Sequence, residues 1–471
     1  MPNIYSTTKG GRSGDSSDIL AQIKKNTLIQ DIASKKALGI YKPTSNNYGF
    51  NGVHLQARTG LDSILNAKKT PESPPIPPLA TNPTALDVPP GTGIPFSSTL
   101  NTPTSLHVFE SSGGGGATDA VFANGIWVLS GKPSSTSTAD FYYGPSLTNL
   151  LPLNLFGIGT KNTYVATIRH TYPSAVYANS TWVFCGEDTK TSLSYNVCYG
   201  PDPANLKYLS IFGNTGNALF ATYGGGNWVI CGLDTSGSGF NVYYGPSPDN
   251  LRPLAIFGAG GFASHAAYAN GTWVIVGDAN SGRNSVYYGS NLANLTPLSL
   301  LESSSKVRYL DNKWIICGYN GGVNNVPLYF YGTDLANLTA GQILPQNSNA
   351  SCLEVAFANN TWVLGFNTNS VFNLAYGATL NSLTPVSMFL VGGNAKSIVY
   401  GNGVWGICGT YYDPNINLQT SIYYGANIAA LTPKLTPLSN FLVFQNGIWV
   451  AGGDNTATGN NLIFGPNLAN I

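Results

Sequence analysis

Ala267-Tyr268-Ala269-Asn270-Gly271-Thr272-Trp273-Val274-Ile275-Val276-Gly277 reads as two strands and the turn that joins them. Asn-Gly favours the type I′ turn, whose twist matches that of paired strands. The β-branched and aromatic residues on either side suit a half-buried pleated surface. Similar text surrounds each of the other tryptophans, Trp127, Trp182, Trp228, Trp314, Trp362, Trp405 and Trp449: VFANGIWVLSG, VYANSTWVFCG, TYGGGNWVICG, RYLDNKWIICG, AFANNTWVLGF, VYGNGVWGICG and VFQNGIWVAGG. One hairpin is thus written eight times.

The repeat recurs about every 46 residues. After each hairpin a third apolar run ends in aromatic-Gly, at Tyr143-Gly144, Tyr199-Gly200, Tyr244-Gly245, Tyr288-Gly289, Tyr331-Gly332, Tyr376-Gly377, Tyr424-Gly425 and Phe464-Gly465. A turn follows, then a fourth run of the form Leu-x-Pro-Leu-x-Leu/Ile-Phe, as in Leu251 to Phe257. Four short antiparallel strands in a unit of this length mark a propeller blade. A helical solenoid would need a 3.6-residue apolar period, which is absent. The expected fold is all-β: an eight-bladed β-propeller of four-stranded antiparallel blades over residues 101–471. The repeats over Val307 to Leu344 and Leu353 to Phe389 are the least regular.

The two ends of the repeat array fit together. The last repeat stops at Asn470-Ile471, where its fourth strand should begin. Ser105-Leu106-His107-Val108-Phe109 matches Pro152-Leu153-Asn154-Leu155-Phe156 position by position and has no hairpin of its own. Residues 103–109 are therefore expected to supply the outer strand of the last blade, which would close the ring and leave no open sheet edge.

Composition agrees. The chain of 471 residues holds 55 Gly and 27 Tyr but only 9% charged residues, a mix for strands and tight turns rather than helices. A net charge of +1 gives no electrostatic case for nucleic acid or membrane binding. Met1 to Gly14 is polar, with no apolar signal region after it, and no segment approaches the length of a membrane span. Synthesis in the cytosol is expected. Six Cys in so long a chain do not make a disulfide scaffold. Cys185, Cys231, Cys317 and Cys408 all stand three residues after a Trp and read as small core residues.

The first hundred residues lack the repeat. Residues 1–70 read as a docking arm with short helices: Asp18 to Leu38, with an apolar stripe of Ile19, Leu20, Ile23, Leu28, Ile29 and Ile32, and Leu61 to Lys69. Residues 71–100 are a Pro-rich linker, with nine Pro between Pro71 and Pro95. Such a segment is either a disordered tail or an arm that orders on another molecule, and its interspersed apolar residues favour the arm.

Candidate sites are few. Asp188, Asp234, Asp278 and Asp454 follow second strands and could form a carboxylate ring for Ca²⁺ or sugar hydroxyls on one loop face. The competing reading, Asp bonding its own turn backbone, is favoured because no loop concentrates several oxygens. His170 and His265 have no partner at metal spacing, so no zinc site, and no cofactor of any kind, is expected. The repeated Tyr could stack on sugars, but repetition in every blade suits packing of blade on blade.

The hairpins of the form Tyr400-Gly401-Asn402-Gly403-Val404-Trp405 resemble those of the Asp-box β-propellers, which include sialidases and the photosystem II assembly factor type. The resemblance covers residues 103–471 and implies fold more than function. The Asp box itself is absent, replaced by aromatic-Gly-Pro-Ser-x-x-Asn-Leu. The arginine triad that a sialidase would imply finds no match in Arg169, Arg252, Arg283 and Arg308. The Asn/Tyr/Gly-rich repeats are also similar to those of uncharacterised large-virus and phage virion proteins, an associational argument.

Two readings of function follow. The first is a non-enzymatic structural or attachment protein of a virion. Its arm would dock on capsid or tail proteins while the propeller decorates the particle or meets a host-surface glycan or protein. The second is a cellular, cytoplasmic, lectin-like propeller binding carbohydrate or protein. An enzyme ranks third.

Overall fold

The computed structural model describes residues 104–109, 116–132, 139–156, 174–187, 195–213, 216–279, 284–319, 328–341, 351–367, 372–389, 393–413, 417–436, 440–453 and 460–471. The expected arm, its helices, its apolar stripe and the Pro-rich linker lie outside the described residues. Among those described, every element is a strand except two single-turn 3-10 helices, Ile428–Ala430 and Leu468–Asn470.

The protein is all-β, built of antiparallel four-stranded sheets in a propeller-like order, each identified below by its Trp. The Trp127 unit comprises Gly116–Ala123, Ile126–Lys132, Phe141–Ser146 and Asn149–Leu153. The Trp182 unit comprises Ser174–Ala178, Thr181–Cys185, Val197–Gly200 and Lys207–Leu209. Twenty strands from Asn217–Gly224 to Thr432–Leu435 then repeat this pattern in sequence order. Within that run, single residue pairs such as Leu233↔Phe262 and Asp278↔Ser303 bridge the second strand of one unit to the first of the next.

The hairpins form for the local reasons read from the sequence. Asn270 and Gly271 take φ of 49° and 74°, the left-handed pair of a I′ turn. Asp311-Asn312 and Asn359-Asn360 do the same without glycine, because Asn and Asp tolerate this region better than other side chains. Across each hairpin the Trp lies opposite an aromatic ring. Tyr268 and Trp273 are in register with centroids 5.0 Å apart, and Phe122–Trp127 and Phe444–Trp449 repeat the pair at 5.1 and 4.8 Å. All eight Trp are at most 3% exposed, so each anchors a core layer between sheets.

A second repeated device joins the units, and the sequence reading did not single it out. A buried polar residue stands just before the third strand: Asp140, Asn196, Asn241, Ser285, Asn373 and Asn461. Its side-chain oxygen accepts backbone N–H groups where the chain leaves the fourth strand. Asn241 Oδ1 takes Ile256 and Phe257, both at 3.2 Å, and Asn373 Oδ1 takes Met388 and Phe389 at 3.1 and 2.9 Å. These N–H groups would otherwise be buried without a partner. The clamp also shortens the expected fourth strand: it spans Arg252–Leu254, and Ile256-Phe257 turn inward instead of extending it.

The clamped Phe then crosses to the next unit. Phe156 lies so close over Gly186 that a Cβ there would meet its ring at 2.4 Å, which explains the Gly four residues after Trp. Phe257 is edge-on to Tyr287 of the next unit at 5.2 Å, and Phe389 to Tyr423 likewise. The first Tyr of Tyr-Tyr-Gly thus packs unit on unit.

The N-terminal strand takes the same part. Thr104–Leu106 pairs antiparallel with Leu462–Gly465, with Leu106 opposite Leu462, in one sheet with Ile448–Gly452 and Phe441–Gln445. Asn461 Oδ1 accepts Val108 N–H at 2.9 Å and Phe109 N–H at 3.1 Å. Phe109 is fully buried, edge-on to Tyr142 at 5.0 Å, and covers Gly131 of the Trp127 unit. One core cluster joins Phe441, Val443 and Leu462 to Ala117, Trp127 and Leu129.

Candidate functional site

The carboxylates expected on the loop face occupy two different settings. Asp234 lies six residues after Trp228 and Asp278 five after Trp273, so they are not one repeated position. Asp234 is 5% exposed, and its own loop fills its oxygens: Oδ1 accepts Ser236 N–H at 2.8 Å, and Oδ2 accepts Gly239 N–H at 2.8 Å and the Ser238 hydroxyl. Burial would raise its carboxyl, but these bonds outweigh it and hold the group below the ordinary range. Asp278 ends the strand Thr272–Asp278 and is half-buried. Asp188, Asp454 and His170 lie outside the described residues. His265 is buried and stacked on Phe220, with centroids 3.9 Å apart. Among the described residues no three His, Cys, Asp or Glu side chains gather as metal ligands.

The structure draws attention instead to the first strands. Six of them break at a β-bulge in the same place: Ala117/Asp119, Ala218/Phe220, Ala263/His265, Ser304/Lys306, Cys352/Glu354 and Ala395/Ser397. A bulge re-aims the side chain beside it and often stands next to a site. The residue after the bulge differs every time: Asp119, Phe220, His265, Lys306, Glu354 and Ser397. Here the repeat stops repeating.

Three of these residues and Arg308 form one charged cluster. Glu354 forms an ion pair with Lys306 of the preceding unit, and Arg308 Nη2 stands 3.6 Å from its other oxygen. The side chains of Lys306, Arg308 and Glu354 are 16%, 9% and 7% exposed. Glu354 Oε1 also accepts Val355 N–H at 3.1 Å. Burial works against ionisation of Glu354, but Lys306 and Arg308 overcome it and keep the carboxyl below its usual range.

Asp119, from the Trp127 unit, is within electrostatic reach of all three. Burial pushes its carboxyl up to about 6, against the pull of the Ala120 N–H at 2.8 Å and of Lys306 and Arg308. Lys306 and Arg308 thus pull on both carboxyls, and are in ion-pair contact with that of Glu354. Chemically Lys306, Arg308 and Glu354 make an ion-pair clasp between the neighbouring Trp314 and Trp362 units, with Glu354 as its centre.

The sequence reading weighed Arg308 only against an arginine triad and passed over Lys306, Glu354 and Asp119. A usable signal existed: all three stand opposite the third residue after a Trp, where other repeats carry Phe, His or Ser.

Fold and site together define an all-β, propeller-like repeat protein. No family model matches the chain, and no curated protein does. Solved structures do. YCF48 bound to D1 peptide matches with 13% identity over 68% of this chain and 96% of that one, at a TM-score of 0.39. The periplasmic gluconolactonase PpgL of Pseudomonas aeruginosa matches with 8% identity over 69% and 95%, at 0.41. A Lactobacillus plantarum protein matches with 9% identity over 66% and 94%, also at 0.41. These are likenesses of overall sheet arrangement and say nothing of substrate or partner.

Proposed function

We propose that the chain is a closed, eight-bladed β-propeller acting as a non-enzymatic structural or attachment module. Closure is supported by the part Thr104 to Phe109 plays in the Trp449 unit: its strand pairing, its Asn461 clamp and its Phe109 anchor match those of interior units. The order of first strands supports it too, since each lies beside the next and Phe441–Gln445 lies beside Gly116–Ala123. A ring without open edges is a rigid body that resists edge-to-edge aggregation, which suits dense display.

The observation that carries the structural role is how the polar groups are used. Asp234 is filled by its own loop, and Glu354, Lys306 and Arg308 neutralise one another between sheets. Groups so engaged hold the fold together and are poorly placed to turn over a substrate. Placement in a virion, through the arm of residues 1–70 on capsid or tail proteins, rests on the sequence of that segment.

The test is mass spectrometry of purified particles, with limited proteolysis of the free and particle-bound protein. The reading expects the chain in the particle and residues 1–95 protected only there. Absence from particles overturns the virion role. Saturable glycan-array binding that is lost in Asp234→Ala and Asp278→Ala would favour the lectin-like reading instead.

A further inference from the structure

In the Trp182, Trp228, Trp362 and Trp449 units the residue three after Trp lies against the first strand of the neighbouring unit. What it meets there is small: Cys231 shares a core with Ala263, Cys185 with Ala218, and a Cβ on Gly365 or Gly452 would touch Ala395 or Ala117. Between the Trp314 and Trp362 units the pattern changes. The facing residue, aligned with those alanines by its pairing to the fourth residue after Trp, is Cys352, and it meets Cys317. The two sulfurs are 2.9 Å apart, both thiols are free, and both residues are fully buried in one core cluster.

We propose that Cys317 and Cys352 are a covalent modification site, an oxidative cross-link that joins the Trp314 and Trp362 units. A disulfide needs sulfurs about 2.05 Å apart, so less than about 1 Å of approach remains, within reach of small side-chain rotations. The oxidant is a peroxide. The two thiols give up two protons and two electrons and an S–S bond forms; the peroxide O–O bond breaks, and hydrogen peroxide leaves as two waters. The link would fasten the same sheet interface that Glu354 holds with Lys306 and Arg308, since Lys306 pairs with Cys317 in register and Glu354 follows two residues after Cys352.

Oxidation is expected to be slow. Burial holds the Cys352 thiol protonated, well above its ordinary range, and the thiolate is the attacking species. Cys185 and Cys231 provide an internal control. They sense each other electrostatically, but alanines stand where Cys352 stands in the other pair.

The experiment treats the full-length protein with hydrogen peroxide, caps remaining thiols with N-ethylmaleimide in denaturant, and digests it without reduction for mass spectrometry. The expected result is one linked peptide pair containing Cys317 and Cys352, two hydrogens lighter than the sum. Four maleimides replace the six of the untreated chain, dithiothreitol reverses the change, and Tm rises by several degrees. Cys352→Ala installs the residue other units carry, so it should keep its fold by circular dichroism while losing the link; Cys317→Ser is the alternative should it not. Six maleimides after prolonged oxidation, sulfinic or sulfonic acid at either residue without a link, or a predominant Cys185–Cys231 link would overturn the proposal.

Discussion

Glu354→Gln keeps the shape of the side chain and removes its charge. Lys306 and Arg308, side by side on the strand Ser303–Leu310 and only 16% and 9% exposed, would then lose the carboxylate that pairs with both. Removing one partner of a buried ion pair typically costs about 3–5 kcal/mol, because the charge left behind is desolvated and uncompensated. Against a total stability of roughly 5–15 kcal/mol, that loss is about a fifth of the whole or more. The assay is urea unfolding at pH 7.5, comparing midpoints at constant slope.

The pH dependence has a definite sign. The folded carboxyl of Glu354 lies below its ordinary value of 4.5, so its contribution is full above that value and is lost as pH falls through the folded one. The gap between parent and Glu354→Gln should therefore narrow in acid. Replacing the trio together, with Lys306→Met, Arg308→Leu and Glu354→Leu, should recover most of the loss, since well-packed apolar groups often substitute for buried ion pairs. A cost below about 0.5 kcal/mol for Glu354→Gln at pH 7.5, where a buried pair should show several, would refute the clasp. A triple variant no better than the single would refute the desolvation argument.

Asp119→Asn should act in the opposite direction. A carboxyl raised from 3.8 to about 6 binds its proton more tightly when folded, so parent stability falls as pH rises between those values, by at most about 3 kcal/mol. The variant should melt higher than the parent above pH 6 and equally near pH 3, and a lower Tm at pH 8 would contradict this. Phe109→Ala removes a fully buried ring from the junction of the first and last units and should cost about 3–5 kcal/mol in equilibrium unfolding, like any core Phe. Asp234→Ala leaves the Ser236 and Gly239 N–H groups unpartnered, so faster hydrogen exchange confined to residues 234–240 is expected, with global stability changed by about 1–2 kcal/mol.

The hairpins are legible in the sequence because their causes are local. Asn270-Gly271 sets the turn, and Tyr268 meets Trp273 across it. The N-terminal strand is legible because Ser105 to Phe109 copies Pro152 to Phe156, and the copy extends to the Phe that crosses to the next unit. The buried clamps are not, because Asn241 acts on N–H groups of Ile256 and Phe257 beyond a whole strand and turn.

The charged clasp is further out of reach. Lys306 and Glu354 are 48 residues apart, and each looks like an ordinary exposed charge until the bulges turn both toward one interface. Two of the four aspartates, Asp234 and Asp278, lie among the described residues, in different settings. Asp234 takes the favoured reading of an Asp bonding its own turn backbone, whereas Asp278, one residue nearer its Trp, ends a strand.

Closure of the ring is tested most directly by hydrogen exchange of the Val108 and Phe109 amides in the full-length protein. Both donate to Asn461, as Ile256 and Phe257 donate to Asn241 inside the array. A closed ring predicts that the two pairs exchange at similar, strongly slowed rates and lose protection together as denaturant is added. Val108 and Phe109 exchanging at the rate of an unstructured peptide, while Ile256 and Phe257 stay protected, would contradict it.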